Sequence, residues 1–388
     1  VSPPPPPPHV DLERFARGEP IAVEIGAIER ELATLWKSAS ATGAPAAEGA
    51  VSRAALWNVI IPAHGRENLA ATKHLVDEIA PALPTRAITL CLDDAPAATE
   101  GEVQASIESN VASQPGGTRM VYSEEITLVG PRGAEAHFGA IVRGLGIPGV
   151  PTATFWLDPA LPASLLEREL LPATDRLVLD TGGCFTPHQL EELQRLVEAA
   201  RPIPVADLGW LRLGGLRSLF AGLFDPPVGG GPLARATRLE VSHLAGCDAS
   251  ALLVVSWLGT LLGWRPLESG TTPDGGVRFA FARGDAAAGP PLEAHLVPAE
   301  GACGKSGILA LEIYAGDERY AIHRTALDKT ALLTPVAPPK PVTLDSPSDA
   351  ELAVAALGRR GRDPLFARCL AFAQTLWALE PASGFSPR

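Results

Sequence analysis

The residues between Asp207 and Asp225 concentrate the side chains best suited to chemistry: Asp207, Trp210, Arg212, Arg217 and Asp225. Arginine forks bind carboxylates and phosphates through paired N–H donors. Tryptophan and arginine are also the side chains that dominate protein interfaces. The stretch therefore allows an anion clamp, an interface or a packing device, and composition alone does not choose among them.

Three other patterns have the residue types of nucleotide or metal sites. Gly144-Leu-Gly146-Ile-Pro-Gly149 fits G-x-G-x-x-G, which needs a strand before it and a helix after it to receive a pyrophosphate. Pro148 and Pro151 forbid that helix, so a turn is expected. AEGACGKS (299–306) offers Lys305 and Ser306 to a phosphate and magnesium. The following ILALEIYA alternates like a strand, so a Gly-rich hairpin turn is expected. Asp93-Asp94 ends a strand, where paired carboxylates are usually solvated. There is no G-x-S-x-G motif, and no histidine has a metal-like H-x-x-x-H partner. No catalytic group, metal or cofactor is expected.

Leu213, Leu216, Phe220 and Leu223 share one helix face. Gly214-Gly215 would cost a regular helix about 1 kcal/mol each. The helix is therefore expected to begin after them, with Trp210–Leu213 as an extended or irregular lead-in. On a continuous helix Arg212 and Arg217 would lie about 140° apart, so only the glycine break lets both close on one anion. Arg217 and Asp225 would stand about 12 Å apart along a helix, so each needs another partner. Arg212, between Leu211 and Leu213, is expected to be structural. Arg217, off the Leu213–Leu223 face, is expected to serve recognition.

These residues sit in a chain of 388 residues, 46% of them hydrophobic, which is too much for one ordinary core. The net charge of −12 gives no bulk reason to bind nucleic acid or anionic membranes. The longest uncharged run, between Asp248 and Arg265, falls short of the roughly 20 apolar residues of a membrane span and reads as a buried helix. Cys91, Cys184, Cys247, Cys303 and Cys369 are scattered and odd in number, unlike a disulfide scaffold or zinc knuckle. With an opening VSPPPPPPH that is no secretory signal, they predict reduced thiols in a cytoplasmic protein.

The elements that position the candidates alternate. A helix is expected over 21–37, a loop over 41–50, strands at 55–63 and 86–94 around a helix at 68–80, and strands near 101–108 and 119–128. A helix near 134–144, a strand at 152–158, a helix at 163–171, a strand at 175–180 and a helix at 186–200 capped by Thr186 complete an α/β N-terminal domain. After Pro202 the pattern predicts an α+β C-terminal domain with an antiparallel sheet. Its strands are 235–244, 277–283, 292–298, 307–316 and 319–324, the last four as a meander. The expected boundaries are a Pro-rich tail over 1–20, the α/β domain over 21–201, the α+β domain over 202–339, and a linker with two helices over 340–388.

The 207–225 stretch resembles D-L-N-W-x-R-L-x-x-W-R-x-x-x-A-x-x-F-D, the signature of the OpcA family of glucose-6-phosphate dehydrogenase assembly proteins. Asp207, Leu208, Trp210, Arg212, Leu213, Arg217, Ala221, Phe224 and Asp225 fall in register. Pro84-Thr85-Arg86 is similar to the family's H-P-S-R, Ser123-Glu124-Glu125-Ile126 to its C-S-E-Q-I, and Ile147–Pro151 with Phe155-Trp156 to its L-P-D-L-P-V…W-W. Asp175-Arg176 with Asp180, and Trp257-Leu258 with Leu262-Gly263-Trp264, follow in order. Gly209 stands where the family has Asn, Gly215-Leu216 where it has Trp, Tyr122 for Cys and Gly149 for Asp. The resemblance implies a non-catalytic factor that binds glucose-6-phosphate dehydrogenase, with no nucleic acid or membrane partner. It marks Arg86, Glu124, Trp156, Asp180, Asp207, Trp210, Arg212, Arg217, Asp225 and Trp257 as family-signature or partner-binding positions. The alternative is a sugar-phosphate or nucleotide-binding regulatory module with Arg86, Arg212 and Arg217 as anion ligands.

Overall fold

A computed structural model describes residues 19–41, 55–94, 103–113, 119–158, 161–182, 187–273, 275–283, 291–301, 305–325, 329–335, 337–344 and 346–379. The Pro-rich run at 3–8, residues 42–50, Cys184, Thr186 and Cys303 lie outside the described residues. The chain divides into two compact units, 1–178 with 200–204 and 349–359, and 179–199 with 205–348 and 360–388. The chain crosses between them repeatedly, so neither is the continuous segment that a boundary at 201/202 describes.

The first unit is α/β. Its elements are β1 (Ile21–Val23), α1 (Ile28–Ala41), β2 (Trp57–His64), α2 (Leu69–Ile79), β3 (Thr85–Asp93), β4 (Gln104–Ser113), β5 (Arg119–Pro131), α3 (Glu135–Leu145), β6 (Thr152–Trp156), a π-helical turn (Leu165–Leu170) and β7 (Arg176–Leu179). Within this unit the strands run β1-β4-β5-β3-β2-β6-β7. β2 is parallel to β3 and β6, and β3 to β5, whereas β4 is antiparallel to β5 and β1. Strands 2 and 3 are buried along nearly their whole length, as a sheet covered on both faces requires. The helix expected over 21–37 is shorter: Ile21–Val23 pairs with β4, and the α-helix starts at Ile28. A period-3.6 pattern and a three-residue strand are indistinguishable over so short a run.

In the second unit come α4 (Pro187–Ala199), β8 (Val205–Asp207), α5 (Leu208–Arg212), α6 (Gly214–Gly222), α7 (Gly231–Ala234), β9 (Arg238–Leu244) and α8 (Asp248–Leu262). After them run β10 (Trp264–Thr271), β11 (Val277–Arg283), β12 (Leu292–Ala299), β13 (Ile308–Ala315), β14 (Glu318–Arg324), β15 (Lys329–Thr334) and β16 (Ala337–Thr343). Helix α9 (Asp349–Gly358) belongs to the first unit, and α10 (Pro364–Trp377) to the second.

The sheet order is β10-β11-β12-β9-β13-β14-β15-β16. It is mixed and mostly antiparallel, with β12 parallel to β9. The expected meander is therefore interrupted, because β9 lies between β12 and β13. Strands β12 and β13 each pair with β9 and not with one another, so they do not form the hairpin expected around 299–306. Strand β16 also occupies part of the segment expected as a linker. Helix α8 is buried continuously from Ala249 to Gly259, as its uncharged sequence predicts. No helix among the described residues is long and apolar enough to cross a membrane.

Candidate functional site

Helix α5 begins at Asp207, whose Oδ1 accepts from the Trp210 backbone N–H at 2.6 Å, an N-cap bond that fills an otherwise orphaned donor. The same carboxylate accepts from Thr181 Oγ1 at 2.7 Å and from the Thr181 backbone N–H at 3.0 Å. Asp207 is buried, and burial followed by the nearby Asp180 charge pushes its pKa up to about 7, against the three donors that favour the ionised form. Asp180 in turn receives both ends of the Arg212 guanidinium, Nη1 to Oδ1 at 3.0 Å and Nη2 to Oδ2 at 3.1 Å.

Close backbone approach makes this arrangement possible. A Cβ on Gly209 would stand 2.5 Å from both the Gly182 N and Thr181 Oγ1, and one on Gly182 would collide with the Arg212 guanidinium. The glycine at 209, where the related signature has Asn, thus answers a local packing demand.

Trp210 is buried. Its indole N–H donates to Asp363 Oδ2 at 3.0 Å, and its ring lies 5.7 Å from Phe366. Asp363 Oδ1 simultaneously caps α10, accepting from the Leu365 and Phe366 N–H groups at 3.0 Å each. Over the indole lies the Arg217 guanidinium, 3.3 Å from the ring centroid, and it also donates to the Trp210 carbonyl at 3.1 Å. The lead-in expected to be extended is therefore helical, and α6 begins at the glycine pair itself. The Asp207 cap and the buried Leu213, Leu216 and Phe220 outweigh the glycine cost. Phe220 meets Trp257 at 6.3 Å, placing that signature tryptophan in the same core.

In the first unit Arg86 and Glu124 are register partners on β3 and β5. Both are buried, and Arg86 Nε donates to Glu124 Oε2 at 2.8 Å. The guanidinium also bonds the Leu145 carbonyl and Glu29, and Trp36 Nε1 donates to Glu124 Oε1. Arg86 is thus enclosed by carboxylates, and Arg212 and Arg217 are each held by their own neighbours. Within the second unit Arg212 is paired with Asp180 and Arg217 lies on Trp210, so these two do not close on a common anion. Trp156 is buried at the end of β6, in the other unit from the Asp207 cluster, and Asp225 is exposed past α6.

The glycines of the G-x-G-x-x-G pattern close helix α3 and lead into β6, the reverse of the order a pyrophosphate needs. Lys305 and Ser306 lie in a turn before β13, and Arg324 reaches Ser306 Oγ at 3.5 Å. Asp93 pairs with Arg66, and Asp94 with Arg132 and His64. Among the described residues no group of three or more His, Cys, Asp or Glu is placed to hold a metal. Burial pushes the Cys91 and Cys369 thiols up to about 11.

Sequence reading missed Asp363 and Thr181. Asp363 had a signal: Asp before Pro364 at the start of an apolar helix reads as N-cap and N1. Thr181 had none, because its partner lies on a distant strand.

Residues 76–198 match the family described as the glucose-6-phosphate dehydrogenase subunit N-terminal domain, and residues 203–370 the corresponding C-terminal domain. The chain is 30% identical over 203 residues to OpcA of Synechocystis sp., covering 51% of this chain and 41% of the relative. It is 31% identical over 198 residues to OpcA of Nostoc punctiforme, covering 50% and 41%. These alignments thus span 41% of the length of either curated relative. Among solved structures, a dehydrogenase from Chromobacterium violaceum aligns with 84% of this chain and 95% of its own at 11% identity and a TM-score of 0.47. An oxidoreductase from Sinorhizobium meliloti aligns with 84% and 89% at 11% identity and a TM-score of 0.42.

Proposed function

We propose a function from one premise: this chain belongs to the OpcA family, whose N- and C-terminal domains it matches in order. In this reading it is a non-catalytic, cytoplasmic partner of glucose-6-phosphate dehydrogenase in the oxidative pentose phosphate pathway, promoting assembly or the active state of the enzyme.

The observation that carries the reading is the ordered match of both domains along a single chain. The geometry of the signature stretch is compatible with it. Asp207, Trp210 and Arg212 are spent on one another and on Thr181, Asp180 and Asp363, which makes a rigid framework rather than a set of groups aimed at a substrate. A rigid surface suits a protein that acts by binding, because less ordering entropy opposes association.

An activator of this kind binds the active state of the enzyme more tightly than the inactive state. A tenfold shift corresponds to about 1.4 kcal/mol of differential affinity. The exposed Asp225, beyond the buried framework, is the signature side chain best placed to reach a partner.

Size-exclusion chromatography with light scattering on this chain mixed with its cognate dehydrogenase tests the reading. A complex at micromolar concentration is the expected result. Two components eluting at their separate masses would contradict it.

A further inference from the structure

The motif Ser123-Glu124-Glu125-Ile126 places adjacent carboxylates on opposite faces of the first unit's sheet. Glu124 is absorbed by Arg86 and by Trp36 of α1. Glu125 points to the other face, toward α2, and nothing in the proposed function uses it.

Glu125 stands beside Glu108, its register partner on the antiparallel strand β4. Like charges directly opposite on a sheet destabilise it. Both side chains are buried, 2% exposed for Glu125 and 7% for Glu108. Among the described residues one cation pairs with them: Lys73 Nζ of α2 lies 2.9 Å from Glu108 and 3.5 Å from Glu125, and also 3.5 Å from Asp77 of the same helix. On β3 the register partner of Glu125 is the uncharged Ala87. The other carboxylates on α2 and on the elements touching it are Glu78 of α2, Glu67 in the turn before it, Asp93 at the end of β3, and Asp349 and Glu351 in the first turn of α9. One partly exposed ammonium, 37% accessible, thus faces more negative charge than it neutralises, and a proton is the simplest way to remove the excess from the buried carboxylates.

We propose that Lys73, Glu108 and Glu125 form a proton-operated latch that fastens helix α2 to strands β4 and β5. With Glu125 protonated, Lys73 bridges helix and sheet through Glu108 without an opposing charge. When that proton leaves, two buried carboxylates repel across the strand pair, and α2 opens more often. Burial and then the Glu108 charge push Glu125 up to about 7, which puts the release near neutrality. The sign follows from linkage. The closed state holds a proton that the open, solvated state gives up near the ordinary glutamate value of about 4.3, so the fastening is full below about pH 4.3, weakens as pH rises, and is lost as pH passes about 7.

Hydrogen exchange of the full chain at pH 6 and pH 8.5, corrected for the intrinsic pH dependence of exchange, tests this. Protection of 69–79, 104–109 and 123–128 is expected to fall about tenfold at the higher pH, the ratio set by a release near 7. Strands β10 and β11 of the second unit serve as the control and should not change with it. Glu125→Gln should abolish the pH dependence in those segments. Glu108→Gln, which removes the opposing charge, should shift it to lower pH, so the test survives if either variant folds poorly. Unchanged wild-type protection, an equal loss in β10 and β11, or an unaltered slope in a folded Glu125→Gln protein would overturn the latch.

Discussion

Arg212 and Asp180 meet fork to fork, with both guanidinium nitrogens on both carboxylate oxygens at 3.0 and 3.1 Å. The pair sits over Gly182, whose missing side chain leaves the space the guanidinium fills. Asp180 also accepts from the Gly182 N–H at 2.8 Å, so one carboxylate fixes both the turn after β7 and the end of α5. Arg212→Ala should therefore lower stability. Breaking a fully buried pair costs about 3–5 kcal/mol, and since Asp180 retains some solvent, about 2–3 kcal/mol is expected. Arg212→Lys should recover little, because a single ammonium cannot make both bonds. Urea unfolding of the three proteins checks this, and a lysine variant as stable as the wild type would contradict the fork.

Gly209 gives an independent handle on the same contact. A side chain there meets the Thr181–Gly182 backbone, so Gly209→Asn, which restores the residue of the related signature, should be destabilising here by about 1–3 kcal/mol, as overpacking is. Thermal melting is the readout. A stabilised Asn variant would mean that the Thr181 turn shifts freely.

Asp363 ties Trp210 to the start of α10 with one carboxylate. Asp363→Ala removes an N-cap, about 1 kcal/mol, and leaves the indole N–H without its acceptor, about 1–3 kcal/mol more. In the Trp210→Phe background the second part should vanish. A double-mutant cycle measures the difference, and strict additivity would show that the indole bond contributes nothing.

Stability should also depend on pH through Asp207. Its folded value near 7 lies above the ordinary carboxylate value of about 3.9, so the native state holds a proton that the unfolded chain has lost over that interval. Stability then declines as pH rises from about 4 to about 7 and levels off above. Asp207→Asn should flatten its share of the decline, and melting temperatures across pH 4–8 report it. An Asn variant with the wild-type slope would assign the titration elsewhere.

The sequence made some of this legible and hid the rest for physical reasons. Alternating strands and helices from Trp57 to Ala199 could be read because each carries one strong period, and α8 because its uncharged run has nowhere to go but a core. The helix at Leu208–Arg212 was hidden by Gly214-Gly215. Local propensity argued for a break, and burial of Trp210, Leu213 and Leu216 overrode it. The insertion of β9 between β12 and β13 could not be read, since alternation gives a strand its faces but not its neighbours. The signature residues were found by their order, yet their partners Asp180, Thr181 and Asp363 are joined to them only by tertiary approach. The Lys73–Glu108–Glu125 cluster had no pattern of its own: Glu125 lies in the Ser123–Ile126 motif, but Lys73 and Glu108 come from two other elements.

In the proposed function this chain acts on glucose-6-phosphate dehydrogenase by binding it. The most direct measurement is kcat/KM of the cognate dehydrogenase for glucose 6-phosphate, titrated with this chain at a fixed enzyme concentration. The expected result is a saturable rise that plateaus with complex formation and that Asp225→Lys weakens without altering the melting temperature. A flat titration, at chain concentrations where sizing shows the two proteins bound to each other, would contradict activation. A flat titration with no complex would contradict the partnership itself.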